Sequence, residues 1–78
     1  MKTNFTKIIE VENDILNFDF NLINHVHGMK YFITTFDRNQ ILYSFSMEYR
    51  KGNWKIITET APGWIFSIEE ILSKAIVE

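Results

Sequence analysis

The stretch 41–78, ILYSFSMEYRKGNWKIITETAPGWIFSIEEILSKAIVE, decides the fold. Its opening alternates: Ile41, Tyr43, Phe45, Met47 and Tyr49 fall on one face, and Ser44, Ser46 and Glu48 on the other. That period of two predicts a half-buried strand over about 41–49. Arg50-Lys51-Gly52-Asn53 reads as a hairpin turn, and 54–60 pairs back, with Trp54 and Ile56 on one face and Ile57 on the other. Across Ala61-Pro62-Gly63 the spacing turns helical. Trp64, Ile65, Ile68, Ile71, Leu72, Ala75 and Ile76 form one stripe, which predicts a helix over about 62–77. Pro62 suits a first helical turn, and Gly63 inside the helix costs about 1 kcal/mol against Ala. A later start is also compatible, because Ser67 and Glu70 have capping-box spacing and Phe66 could staple against Ile71. The longer helix accounts better for the stripe and leaves Phe66 off it.

Upstream, 6–12 reads as a strand. Phe5, Lys7, Ile9 and Val11 share one face, and Thr6, Ile8, Glu10 and Glu12 the other. A helical stripe through Phe5, Ile8 and Ile9 is the alternative, but Glu12-Asn13-Asp14 is a good turn and a clear strand follows it. Over 15–23, Leu16, Phe18, Phe20 and Leu22 oppose Asn17, Asp19 and Asn21. The segment 24–28 closes a hairpin, with Gly28 free to take positive φ. Over 30–36 both faces are apolar, Phe32 and Phe36 against Tyr31 and Ile33, and Asp37-Arg38-Asn39-Gln40 is a polar turn. The expectation is one α+β domain over 1–78: an antiparallel β-meander of four to five strands with one C-terminal helix packed on one face.

Composition bounds the function classes. Seventy-eight residues make one domain, and the 46% hydrophobic and 15% aromatic content excludes intrinsic disorder. The chain has no cysteine, so disulfides, thiolate metal clusters and a Cys nucleophile are excluded. Lack of cysteine leans towards a reducing, cytoplasmic setting. The first residues carry no apolar core of signal-peptide length, and no apolar run approaches the ~18–20 residues of a membrane span. A formal charge of −2, with one local basic group at Arg50, Lys51 and Lys55, argues against nucleic acid as partner.

Few residues invite chemistry. His25 and His27 are two apart, so on an extended segment both rings reach one side, but an H-x-H without a third ligand is a weak metal signal. No phosphate loop or nucleophile elbow is present. Glu69 and Glu70 are adjacent on a helix and do not converge. The reading is therefore non-enzymatic, with no cofactor.

The sequence argues instead for a partner. A helix of about 15 residues, roughly 22 Å long, covers much of one face of a five-stranded sheet and none of the other. Apolar residues on both faces of the later strands then leave a surface for a partner. Tyr31, Ile33, Leu42, Trp54, Trp64 and Phe66 are the candidates for an interface or a pocket. A homodimer through sheet faces, or contact with another protein, is the leading expectation. An apolar ligand between Trp54, Trp64 and the sheet is the second, and an acidic inhibitor or immunity-type protein the third.

Gly52, Trp54 and Ile56, then Pro62, Trp64 and Ile65, then Glu69, Glu70 and Leu72 make up a G-x-W-x-I strand, a P-x-W-I connection and an acidic amphipathic helix. In this the closing half of the chain resembles a group of small, uncharacterised bacterial domains. The resemblance implies a bacterial origin and carries fold, not site residues. The G-x-W-x-I strand also looks like the last strands of cone-shaped NTF2-like domains, which need N-terminal helices that this chain lacks.

Overall fold

The computed structural model describes residues 2–25 and 28–78, apart from the His25 side chain. Among them the chain forms five strands, β1 (Asn4–Val11), β2 (Asp14–His25), β3 (Gly28–Phe36), β4 (Leu42–Arg50) and β5 (Asn53–Ile56). They pair antiparallel in sequence order as one curled meander, followed by helical segments α1 (Gly63–Phe66) and α2 (Glu69–Val77). The class is α+β.

Two of the connections are tight hairpins with both central residues at positive φ: Glu12 (49°) and Asn13 (75°), then Lys51 (51°) and Gly52 (89°). That is the turn whose twist matches paired strands. The longer loop between β3 and β4 is organised by Asp37. Its carboxylate accepts the main-chain N–H groups of Asn39 (2.8 Å) and Ile41 (3.0 Å), and its carbonyl accepts that of Gln40 (3.0 Å).

Register places Phe20 opposite Phe5 and Ile33, Tyr31 opposite Leu22 and Met47, and Trp54 opposite Tyr49. One face thus carries an aromatic row across all five strands. Phe5 stacks on Phe20 at 4.4 Å, Phe20 meets Tyr31 edge-on at 6.1 Å, and Trp54 meets Tyr31 at 5.1 Å and Tyr49 at 5.6 Å. Such offset and edge contacts add about 0.5–1.5 kcal/mol each beyond area burial. Ile65, Ile68, Leu72, Ala75 and Ile76 close the core over this face.

The helix is interrupted where continuity over 62–77 was expected. The Ser67 hydroxyl donates to the Trp64 carbonyl at 2.7 Å, and the Ile68 N–H turns to Ile65, three residues back. Serine competes with the ladder in this way. Because its hydroxyl points backwards, Ser67 does not cap α2, whose N-cap residue is Ile68 with no side-chain cap. Ile71, placed on the buried stripe by spacing, is exposed, as are Phe66 and Ile41. The last strand also ends earlier than 60. Ile57 N still bonds Ser46 O at 2.9 Å, but the Thr58 hydroxyl then takes the Ser46 N–H and ends the ladder.

Candidate interaction surface

The outer face, opposite the helix, is formed by the alternate residues of the same strands. Its middle is polar. Thr6 stands opposite Asp19, Asp19 opposite Thr34, and Thr34 opposite Ser44. The Thr6 hydroxyl donates to Asp19 at 2.7 Å. Apolar groups flank this belt on both sides. Towards the β1–β2 and β3–β4 turns, Ile8 lies opposite Asn17 and Phe36 opposite Leu42, with Ile15 alongside. Phe36 is 53% and Leu42 55% exposed. Towards the other end lie Phe32 and Ile23, both exposed. The Asp37 loop, by fixing the chain between Phe36 and Leu42, holds these two side chains in place from both ends.

A groove of about 490 Å³ runs over this face, bounded by Thr6, Ile15, Asn17, Asp19, Thr34 and Phe36, with Asp37 and Arg38 at its rim. Exposed Arg38 places its Nε 3.7 Å from Oδ1 of half-buried Asp14, a contact that tethers the β3–β4 loop to the start of β2. Behind that loop the Tyr43 hydroxyl donates to Asp37 Oδ2 at 3.2 Å, and its ring meets Trp64 edge-on at 5.2 Å. Burial, then the neighbouring Asp37 hydrogen bond and charge, push the Tyr43 hydroxyl above its ordinary range. Burial does the same to Tyr31, whose hydroxyl donates to the Lys2 carbonyl.

The expected surface residues divide. Leu42 and Phe66 are exposed. Tyr31 and Ile33 are not surface residues: both are 0% exposed, beneath the helix. Every side chain of 31–36 suits either face, so the strand alone does not say which row is covered. Its partners do, because Tyr31 aligns with Leu22 and Met47. The free row is therefore Phe32 and Phe36. Trp54 is buried and Trp64 half-buried, and they line separate grooves. Trp54 borders one of about 410 Å³ with Glu69, Ser73 and Lys74, and Trp64 one of about 150 Å³ with Val11, Leu16 and Arg38. The buried Trp54 Nε1 has no hydrogen-bond partner among the described residues.

The side chain of His25 and all of His27 lie outside the described residues, and so does the metal site considered for them. Among the described residues no group of three His, Cys, Asp or Glu side chains is placed to hold a metal ion. Among them also, no helix is long and apolar enough to cross a membrane. Comparison with protein-family models, with curated proteins and with solved structures finds no match to this chain.

Proposed function

We propose that this chain is a non-enzymatic protein-interaction module that self-associates, and that its contact surface is the outer face of the sheet. The observation that carries the reading is the exposed group Ile8, Ile15, Phe36 and Leu42 on the face that no helix among the described residues covers. Apolar side chains gathered on one face of a small domain are characteristic of interfaces. The polar belt of Thr6, Asp19, Thr34 and Ser44 beside them supplies the hydrogen-bonding part that protein interfaces combine with an apolar centre. A two-fold pairing of identical faces is the simplest assembly and needs about 1,000 Å² or more of contact. A cytoplasmic, bacterial setting accords with the cysteine-free composition and with the resemblance of the closing half.

The test is the oligomeric state of the wild-type chain and of Phe36→Lys and Leu42→Lys. The reading expects a dimer that persists into the low micromolar range and that either lysine disperses while leaving the chain folded, with the melting temperature lowered only by the lost association. A wild-type monomer at high micromolar concentration sinks it.

A further inference from the structure

The two edges of the sheet are not equivalent. On β5 the outward main-chain N–H groups are taken by α2: Trp54 N donates to Ser73 Oγ at 3.3 Å, and Ile56 N to Glu69 Oε2 at 2.9 Å. On β1 no element among the described residues does this. Which groups of β1 face outwards follows from the ladder. Leu22 N donates to Thr3 O at 2.7 Å, so Thr3 and Leu22 form a hydrogen-bonded pair. Such pairs alternate in an antiparallel ladder, so Phe5, Lys7, Ile9 and Val11 direct their main-chain groups into β2. Asn4, Thr6, Ile8 and Glu10 direct theirs away from it, at the edge. An edge strand of this length is a template for a further strand.

We infer that β1 is a pairing edge for β1 of a second copy of this chain, antiparallel about a two-fold axis that passes through the sheet at Ile8. Such an axis keeps the helix-covered faces of both copies on the same side, so residues directly opposite must belong to the same face. The outward main-chain groups must also meet, which confines the pairing to a few registers. With the axis at Lys7, the two Lys7 side chains stand directly opposed, an unfavourable like-charge pair. With the axis at Thr6 or Ile9 the overlap shortens. With the axis at Ile8, Thr6 faces Glu10, Lys7 faces Ile9, Phe5 faces Val11 and Ile8 faces itself. The N–H and C=O groups of Thr6, Ile8 and Glu10 are then matched reciprocally, and no like charges are directly opposed. This register covers Ile8, which is 64% exposed in the single chain. It also extends the row of Ile8, Asn17, Phe36 and Leu42 into the partner sheet. The contact is distinct from the face-to-face pairing proposed above, because it is made by main-chain hydrogen bonds at the edge.

Amide hydrogen exchange of the wild-type chain from micromolar to near-millimolar concentration tests it. The expected result is that the Thr6, Ile8 and Glu10 amides gain about tenfold protection or more as concentration rises, while Phe5, Lys7 and Ile9, already bonded to β2, do not change. Ile8→Pro removes the N–H on the axis and abolishes the gain at Thr6 and Glu10, whereas Ile8→Thr keeps that N–H and retains the gain. Phe36→Lys also retains it, which separates this contact from the face. Concentration-independent exchange at Thr6, Ile8 and Glu10 in the folded wild-type chain overturns the inference and leaves the edge to a strand of another protein. Equal loss in Ile8→Thr and Ile8→Pro also overturns it, because the contact is then apolar.

Discussion

The main-chain N–H of Ile56 donates to the Glu69 carboxylate at 2.9 Å, so a side chain of α2 takes the place of a sixth strand along β5. Lys55 adds a second tie, with Nζ 3.6 Å from Glu69 Oε1. A hydrogen bond to a charged acceptor contributes about 1.5–3 kcal/mol. Glu69→Ala is therefore expected to destabilise by about that much. Glu70→Ala removes only an exposed i,i+4 pair with Lys74 and costs about 0.5 kcal/mol or less. Urea unfolding of the two variants checks this, and equal losses contradict it.

Trp54 and Leu72 both belong to the buried core, 1% and 0% exposed. Trp54→Ala and Leu72→Ala are each expected to cost about 2–5 kcal/mol. The Trp54 indole N–H has no hydrogen-bond partner among the described residues, so removing it relieves a burial cost of about 1–3 kcal/mol. Trp54→Phe is accordingly expected to cost well under half of Trp54→Ala by chemical denaturation.

The hairpin between β4 and β5 holds Lys51 at φ 51° and Gly52 at φ 89°. Lys51→Asn installs the Asn-Gly pair that this turn favours and is expected to stabilise by about 0.5–1 kcal/mol, a rise in Tm of a few degrees. Nothing lies within 4 Å of a Cβ built at Gly52, so Gly52→Ala is opposed by backbone conformation alone. It is expected to lower stability by about 1 kcal/mol or more. A neutral Gly52→Ala in a thermal melt contradicts the turn assignment.

Tyr31 and Tyr43 both ionise above the ordinary phenol value of 10.0, chiefly because burial disfavours the phenolate. The folded state holds these protons more tightly. Their contribution to stability is therefore complete below about pH 10 and is lost as the pH rises through the raised values. Phenolate absorbance against pH is expected to rise later in the folded chain than in denaturant. Asp37→Asn is expected to bring the Tyr43 transition down and leave Tyr31 unmoved.

Glu78 shifts the other way. The Lys7 ammonium, 2.8 Å away, lowers its carboxyl from the ordinary 4.5. What it adds to stability is present above pH 4.5 and lost as pH falls through the lowered value. Carboxyl NMR titration is expected to show Glu78 returning towards its ordinary value in Lys7→Ala, with a smaller shift in high salt.

How far the sequence discloses this molecule depends on which residues carry the signal. In β2, Leu16, Phe18, Phe20 and Leu22 alternate with polar neighbours, so one strand names its buried face without help. In β3 both faces are apolar or β-branched, and the covered row emerges only from pairing, which is why Tyr31 and Ile33 read as surface when Phe32 and Phe36 are the exposed pair. The stripe from Trp64 to Ile76 predicts a helical segment correctly but is silent about Ser67, whose hydroxyl interrupts it through a local hydrogen bond. The closure of the β5 edge by Glu69 and Ser73 has no periodic signature, because it joins residues that become neighbours only after the sheet and helix have packed. The open β1 edge follows from the hydrogen-bond phase of a ladder, which no single strand contains.

Light scattering of the wild-type chain and of Phe36→Lys across a dilution series from ~100 to ~1 μM tests self-association through the outer face most directly. The expected result at ~1 μM is twice the chain mass for the wild type and the chain mass for Phe36→Lys, with matching circular dichroism, while towards ~100 μM pairing at the β1 edge adds mass to both. A wild-type chain at its single-chain mass at every concentration, or a Phe36→Lys variant that remains dimeric at ~1 μM, contradicts the account.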